Sequence, residues 1–138
     1  MEDSEKSQFD ILEEGHEFPL ITYKLEQAIV DGFIEATQMD TSLYTEGGPV
    51  PPMVLAARGM AAVAECVSVP PGSIHVSQEL EFIGTVKAGE TINCHAKVLR
   101  KQERGRLRIM TVGLDVFNEA GEKVMISNTA FMLPVDGE

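Results

Sequence analysis

The residues best suited to chemistry lie in one loop and at the helix start that follows it. The loop, residues 38–50 (QMDTSLYTEGGPV), carries a carboxyl at Asp40 and a phenol at Tyr44 among turn-forming residues. Loops held on a rigid frame are where reactive groups are usually placed. The next segment opens on Pro51 and Pro52, which suits a helix start because the first helical positions need no N–H. Neither proline has an amide hydrogen, so the first free donors are Met53 and Val54. Helix starts favour negative charge by about 0.3–1 kcal/mol at exposed sites. Pro52, Met53 and Val54 are therefore the expected binding residues for a polarised oxygen. A third feature is basic. Six of the eleven Lys and Arg residues fall within 97–108, among them Arg100, Lys101, Arg104 and Arg106. Such a stretch suits phosphates or an acidic partner, although a solvated hairpin tip has the same composition.

Other chemistries lack their signatures. There is no GxSxG, phosphate-binding loop, GxGxxG or HExxH. Cys66 and Cys94 are far apart in sequence, without CxxC, and read as buried thiols of a reducing compartment. His75 and His95 fall in strand-like segments with no ligand spacing, so no metal is expected. The formal net charge of −11 argues against nucleic acid. No apolar run approaches a membrane span and no leader opens the chain, so the expected setting is cytoplasmic, without a membrane partner.

The elements that must hold these groups follow from periodicity. Residues 1–18 form an acidic lead-in with seven acids against one Lys; Phe9, Ile11 and Leu12 can dock it on the body. Residues 19–23 (PLITY) predict a short strand, Thr22 an N-cap, and Leu25, Ile29 and Phe33 the apolar stripe of a helix over 25–37. Residues 51–67 predict a second helix, rich in Ala and Gly, with only Arg58 and Glu65 charged. A helix this apolar calls for cover almost all round.

Four strands follow. Residues 74–83 place Val76, Leu80 and Phe82 opposite Ser77, Glu79 and Glu81. Residues 92–99 place Ile92, Cys94, Ala96 and Val98 together, then 101–105 read as a polar turn. Residues 107–117 align Met110, Val112, Leu114 and Val116, and residues 123–133 align Val124, Ile126, Ala130 and Met132. Four strands with one apolar face and one apolar helix predict an α+β domain over 19–134, an antiparallel sheet wrapped round the helix, followed by a tail at 135–138. A curled sheet leaves edges, which predicts a dimer.

The segment HVSQELEFIGTVKAGETI (75–92) resembles the second strand and following turn of MaoC-like hydratases and dehydratases. The hairpin Asn118-Glu119-Ala120-Gly121 is similar to that family's own. Val50-Pro51-Pro52-Met53, and the helix followed by Asp40 and Leu43-Tyr44, resemble its FAS1-like dehydratase branch. The resemblance covers about 19–134 and is strongest to the non-catalytic subunits of heterodimeric (3R)-hydroxyacyl-ACP dehydratases. It implies a hot-dog fold and reversible hydration of a 2-enoyl thioester, or dehydration of an (R)-3-hydroxyacyl one, carried on CoA or acyl carrier protein. It implies no further cofactor and a homodimer or a heterodimer with a second hot-dog subunit; by its charge, the basic stretch (Arg100, Lys101, Arg104, Arg106) would hold CoA phosphates or meet an acidic carrier protein, unless it is a solvated tip.

The family loop carries an Asp and, about five residues later, a His, commonly within Gly-Asp-x-Asn-Pro-x-His. Here Asp40 matches the Asp and Tyr44 stands at the place of the His; the Gly, Asn and Pro are absent. Hydration needs a base for water, an acid for C2 and donors for the enolate oxygen. A His titrates near ~6.5 and serves the first two, whereas a Tyr titrates near ~10. Asp40 would serve as a base if burial raised its pKa, with Tyr44 orienting the water. Three readings stay open: a hydratase using Asp40 and Tyr44, a subunit without the catalytic His, and an acyl thioesterase or non-enzymatic acyl-binding module.

Overall fold

The computed structural model describes residues 8–40, 44, 48–68 and 70–134. The elements run α1 (Gln8–Ile11), β1 (Ile21–Lys24), α2 (Gln27–Thr37), α3 (Pro52–Cys66), β2 (Ile74–Phe82), β3 (Thr91–Arg104), β4 (Leu107–Phe117) and β5 (Lys123–Leu133). The five strands form one antiparallel sheet in the order β1-β3-β4-β5-β2. It is open rather than closed into a barrel, and α3 packs on its inner face against β3, β4 and β5. The expected hot-dog architecture is present. The tail at 135–138 lies outside the described residues.

Small residues on α3 let it lie directly on the sheet. A Cβ added at Gly59 would come within 2.9 Å of both Leu114 Cδ2 and Met125 Cε. Ala62 and Val63 are fully buried beside it. Cover is not complete, however: Met53, Ala57 and Ala64 are exposed on the side away from the sheet. The expectation of cover all round is corrected, because a single sheet can enclose only one side of a helix.

The strand alternation of β3 and β4 is as expected, with Ile92, Cys94, Ala96 and Val98 buried against Met110, Val112, Leu114 and Val116. Five local expectations are corrected. Thr22 is not an N-cap; it lies inside β1 and its hydroxyl donates to Asn93 Oδ1 at 2.9 Å. α2 begins two residues after Leu25 and buries Val30 and Ile34, with Ile29 and Phe33 on the flanks. Residues 101–104 are strand, not turn, since Gln102 pairs with Ile109 and Glu103 with Arg108. The ladder continues there although Gln102, Glu103 and Arg104 are exposed, and Glu103 meets Arg108 across it at 3.3 Å.

The fourth correction concerns β5. Met125, Ser127, Thr129, Phe131 and Leu133 face the core, and Ile126, Ala130 and Met132 lie half-buried on the outer face. The two inward hydroxyls are accommodated: Gln78 Nε2 donates to Ser127 Oγ at 3.5 Å and Thr129 Oγ1 reaches Met60 Sδ at 3.7 Å. Hydroxyls on the inner face reversed the parity that apolar counting suggests. β2 departs as well, because a bulge between His75 and Ser77 leaves Val76 out of the alternation.

The acidic lead-in docks on the long free edge of β3. Phe18 N–H donates to Ala96 O at 3.0 Å and Gly15 N–H to Val98 O at 2.8 Å. Phe9 and Leu12 are buried, while Ile11 is exposed.

Candidate functional site

The loop after α2 is set by the way that helix ends. Gln38 takes a left-handed conformation (φ 55°, ψ 39°), with its N–H on Glu35 O and the Met39 N–H on Ile34 O. This left-handed cap turns the chain out of the helix axis. Asp40 follows, exposed, and Tyr44 is half-buried against the core together with Met39. Thr41, Ser42 and Leu43, and residues 45–47, lie outside the described residues.

The chain then reaches α3 along a fixed path. Ala88 N–H donates to Gly48 O at 3.1 Å, Pro49 bridges to Lys87, and Val50 N–H donates to Val86 O at 2.8 Å. Val50 and Val86 are buried at this junction. Pro51 caps the helix without a side-chain hydrogen bond. Its carbonyl accepts the Val54 N–H at 2.9 Å. Val54 is thus engaged and buried. Helix geometry leaves the Met53 amide at the first turn without an i−4 carbonyl, and Met53 is 51% exposed, beside exposed Pro52.

The basic residues are dispersed rather than gathered. Beyond the bulge between Val98 and Arg100, Arg100 pairs with Thr111 and Arg104 with Leu107 on the outer face, and Lys101 pairs with Met110 on the inner one. Lys101 Nζ and the Arg108 guanidinium lie over the Phe9 ring at 4.7 and 5.7 Å. Arg108 also meets Asp10 at 3.7 Å, and Glu14 accepts the Lys101 N–H at 2.8 Å. Farther along, His95 Nε2 meets Glu17 Oε1 at 3.1 Å. The acidic lead-in and the basic stretch therefore face each other. Arg106 sits in the exposed turn between β3 and β4. β3 has 14 residues, so its ends stand roughly 40 Å apart. The helix start lies by the 86–88 segment that leads into one end, and Arg104 at the other.

A polar cluster that periodicity did not single out joins α3 to the sheet. Tyr23 donates to Glu65 Oε2 at 2.6 Å, and Arg58 lies 5.4 Å over its ring. Arg58 and Glu65 are the two charges noted on α3, and that pairing was the available signal. Burial first, then the bond and charge of Glu65, push the Tyr23 phenol well above its ordinary range, so it stays protonated. Burial likewise pushes Cys94 up to about 12 and raises Cys66, which keeps both as thiols rather than nucleophiles. No helix among the described residues is long and apolar enough to cross a membrane.

Comparison with known proteins agrees with this architecture. No curated protein matches the chain. Among solved structures, the chain is similar to the R-hydratase PhaJ1 from Pseudomonas aeruginosa, with TM-score 0.76 and 23% identity over 92% of this chain and 85% of that one. It is similar to the (R)-hydratase from A. caviae involved in PHA biosynthesis, with TM-score 0.75 and 20% identity over 89% and 98%. It is also similar to the HadBC (3R-hydroxyacyl-ACP dehydratase) complex from Mycobacterium tuberculosis, with TM-score 0.64 and 21% identity over 86% and 96%. At these identities the likeness establishes the fold. The family described as "FAS1-like, dehydratase domain region" matches residues 13–127. This chain therefore belongs to the FAS1-like dehydratase-domain family and has the hot-dog fold of the MaoC-like hydratases and dehydratases.

Proposed function

We propose that this chain is a hydratase- or dehydratase-type hot-dog subunit that binds an acyl thioester and lacks the proton-transferring His, which a second hot-dog subunit supplies. The ligand class is a 2-enoyl or (R)-3-hydroxyacyl group on CoA or acyl carrier protein. One observation carries the reading: the loop bears Tyr44 where the family resemblance calls for His. The three histidines are elsewhere, His16 in the lead-in, His75 in β2 and His95 in β3.

The chemistry supports a division of labour. The Met53 amide at the start of α3 suits a thioester oxygen, whose charge grows as an enolate forms. Pro52 and Met53 would frame that oxygen from the solvent side, and Val54 would hold the turn from the core. A phenol is a poor base at neutral pH. Asp40 is exposed just past the end of α2. Arg100 and Arg104, which share the outer face, would be the basic residues available to an acidic carrier. Lys101 is engaged by the lead-in.

Crotonyl-CoA tests the proposal. The purified chain is expected to bind it without hydrating it, as followed by loss of enoyl absorbance. Hydration by the chain alone, abolished by Asp40→Asn, would establish the autonomous hydratase instead. Thiol release from acyl-CoA would establish a thioesterase.

A further inference from the structure

β2 is the last strand of the sheet and, among the described residues, pairs only with β5. Ile74, Val76 and Phe82 on it are 55%, 47% and 39% exposed. An unpaired edge with apolar side chains invites another strand. Its charged residues and its bulge decide which strand can come.

The pairing with β5 fixes the faces. Gln78, Leu80 and Phe82 lie opposite Thr129, Ser127 and Met125 and so point inward; Ser77, Glu79 and Glu81 point outward. In a two-fold antiparallel pair that continues the sheet, inner residues must face inner residues. The symmetry axis must then pass through a residue, not between two. Two registers keep five residues of the regular stretch 77–82 paired. An axis at Glu79 puts Glu79 against its own copy. An axis at Leu80 puts Glu79 against Glu81 twice. Like charges directly opposite each other destabilise a strand pair. Moving the axis to Gln78 relieves the charges but brings in the bulge at His75–Ser77, which breaks the ladder after three residues.

We propose that the β2 edge is built to refuse a second copy of this chain and to accept the edge strand of a different hot-dog chain with Lys or Arg on its outer face. The inference rests on the reading of the chain as one subunit of a heteromer and names the surface and charge of its partner. Leu80 and Phe82 supply apolar contact on the inner side; Glu79 and Glu81 supply selection on the outer side. Neither glutamate has a basic residue opposite it on β5, where the neighbours are Asn128 and Ile126.

The test needs no identified partner. A Glu79→Lys/Glu81→Lys variant mimics the partner's charge, and in either five-residue register it sets Lys against Glu of the wild type. In sedimentation equilibrium, wild type alone and variant alone are expected to be monomers, and their mixture a dimer at least about tenfold tighter than either self-association. Added salt should weaken the mixed dimer and strengthen wild-type self-association. A Glu79→Gln/Glu81→Gln variant, which removes the repulsion without new charge, should self-associate several-fold more tightly than wild type. Far-UV circular dichroism confirms that each variant is folded. A wild-type homodimer as tight as the mixture overturns the inference, and so does a mixture that stays monomeric. Crotonyl-CoA separates this from the preceding proposal. A tight homodimer inert toward it refutes the edge alone, whereas an active monomer refutes the missing-His reading and leaves the edge standing.

Discussion

The two edges of this sheet are treated in opposite ways. The β3 side is closed along most of its length by the chain itself. β1 pairs with residues 91–94, Phe18 and Gly15 donate to Ala96 and Val98, and Glu14 takes the Lys101 amide. Tyr23 and Glu65 tie that side to α3. The β2 side is left with exposed apolar residues and two outward glutamates. The closed edge sets Asp10 against Arg108 and Glu17 against His95, so those charges are paired within the chain. The open edge keeps its charges for selection. An edge finished from within contributes to the stability of the single chain, and an edge left open contributes to the stability of an assembly.

This contrast is open to direct attack. The largest effect should come from Phe18→Ala, which removes a buried ring from the lead-in and should cost about 3 kcal/mol in urea unfolding. A loss within about 0.5 kcal/mol would show that the lead-in does not close the edge. Alkali should act next. Cys94 sits opposite Ile21 at the closed edge, and burial raises it from about 9 to about 12. A raised acid is neutral in the folded chain while the unfolded chain ionises first, so the folded state binds more protons. Its stabilisation is complete below about pH 9 and is lost as pH rises toward about 12, by at most ~1.4 kcal/mol per pH unit. Thermal melts from neutral pH upward should fall more steeply in the wild type than in Cys94→Ala; parallel slopes would remove Cys94 from the account. The smallest effect belongs to the open edge. Glu81→Ser should change the stability of the isolated chain by no more than about 0.5 kcal/mol, because Glu81 is exposed on the outer face. A loss near that of Phe18→Ala would mean that β2 is stabilised from within after all.

Much of the scaffold was legible because the periodicity is strong where one face is dry. Ile92 to Val98 and Met110 to Val116 alternate cleanly, and their buried face is the one expected. The Ala- and Gly-rich helix was legible for the same reason, since only a close-packed position such as Gly59 rewards so little side chain. β5 was misread because Ser127 and Thr129 face inward while Ile126, Ala130 and Met132 lie on a half-covered outer face. Apolar character there reports partial cover on both sides, and local pattern does not distinguish them. At the site, the residue types at Asp40, Tyr44 and Met53 could be read directly. That Val54 closes its amide onto Pro51 could not, because this depends on the path imposed by Val50 and Val86.

The sequence by itself determined that a small-residue helix lies on an antiparallel sheet, and that the loop before the helix carries a Tyr where its relatives' pattern carries a His. Both follow from side-chain type and local spacing. Tertiary structure alone decided that the lead-in docks beside Lys101 and Arg108 of the basic stretch, and that one sheet edge is closed while the other is open. Those outcomes depend on contacts between residues 87 and 98 positions apart, the Glu14 carboxylate with the Lys101 main-chain N–H and Asp10 with Arg108, and no local pattern encodes which distant groups will meet.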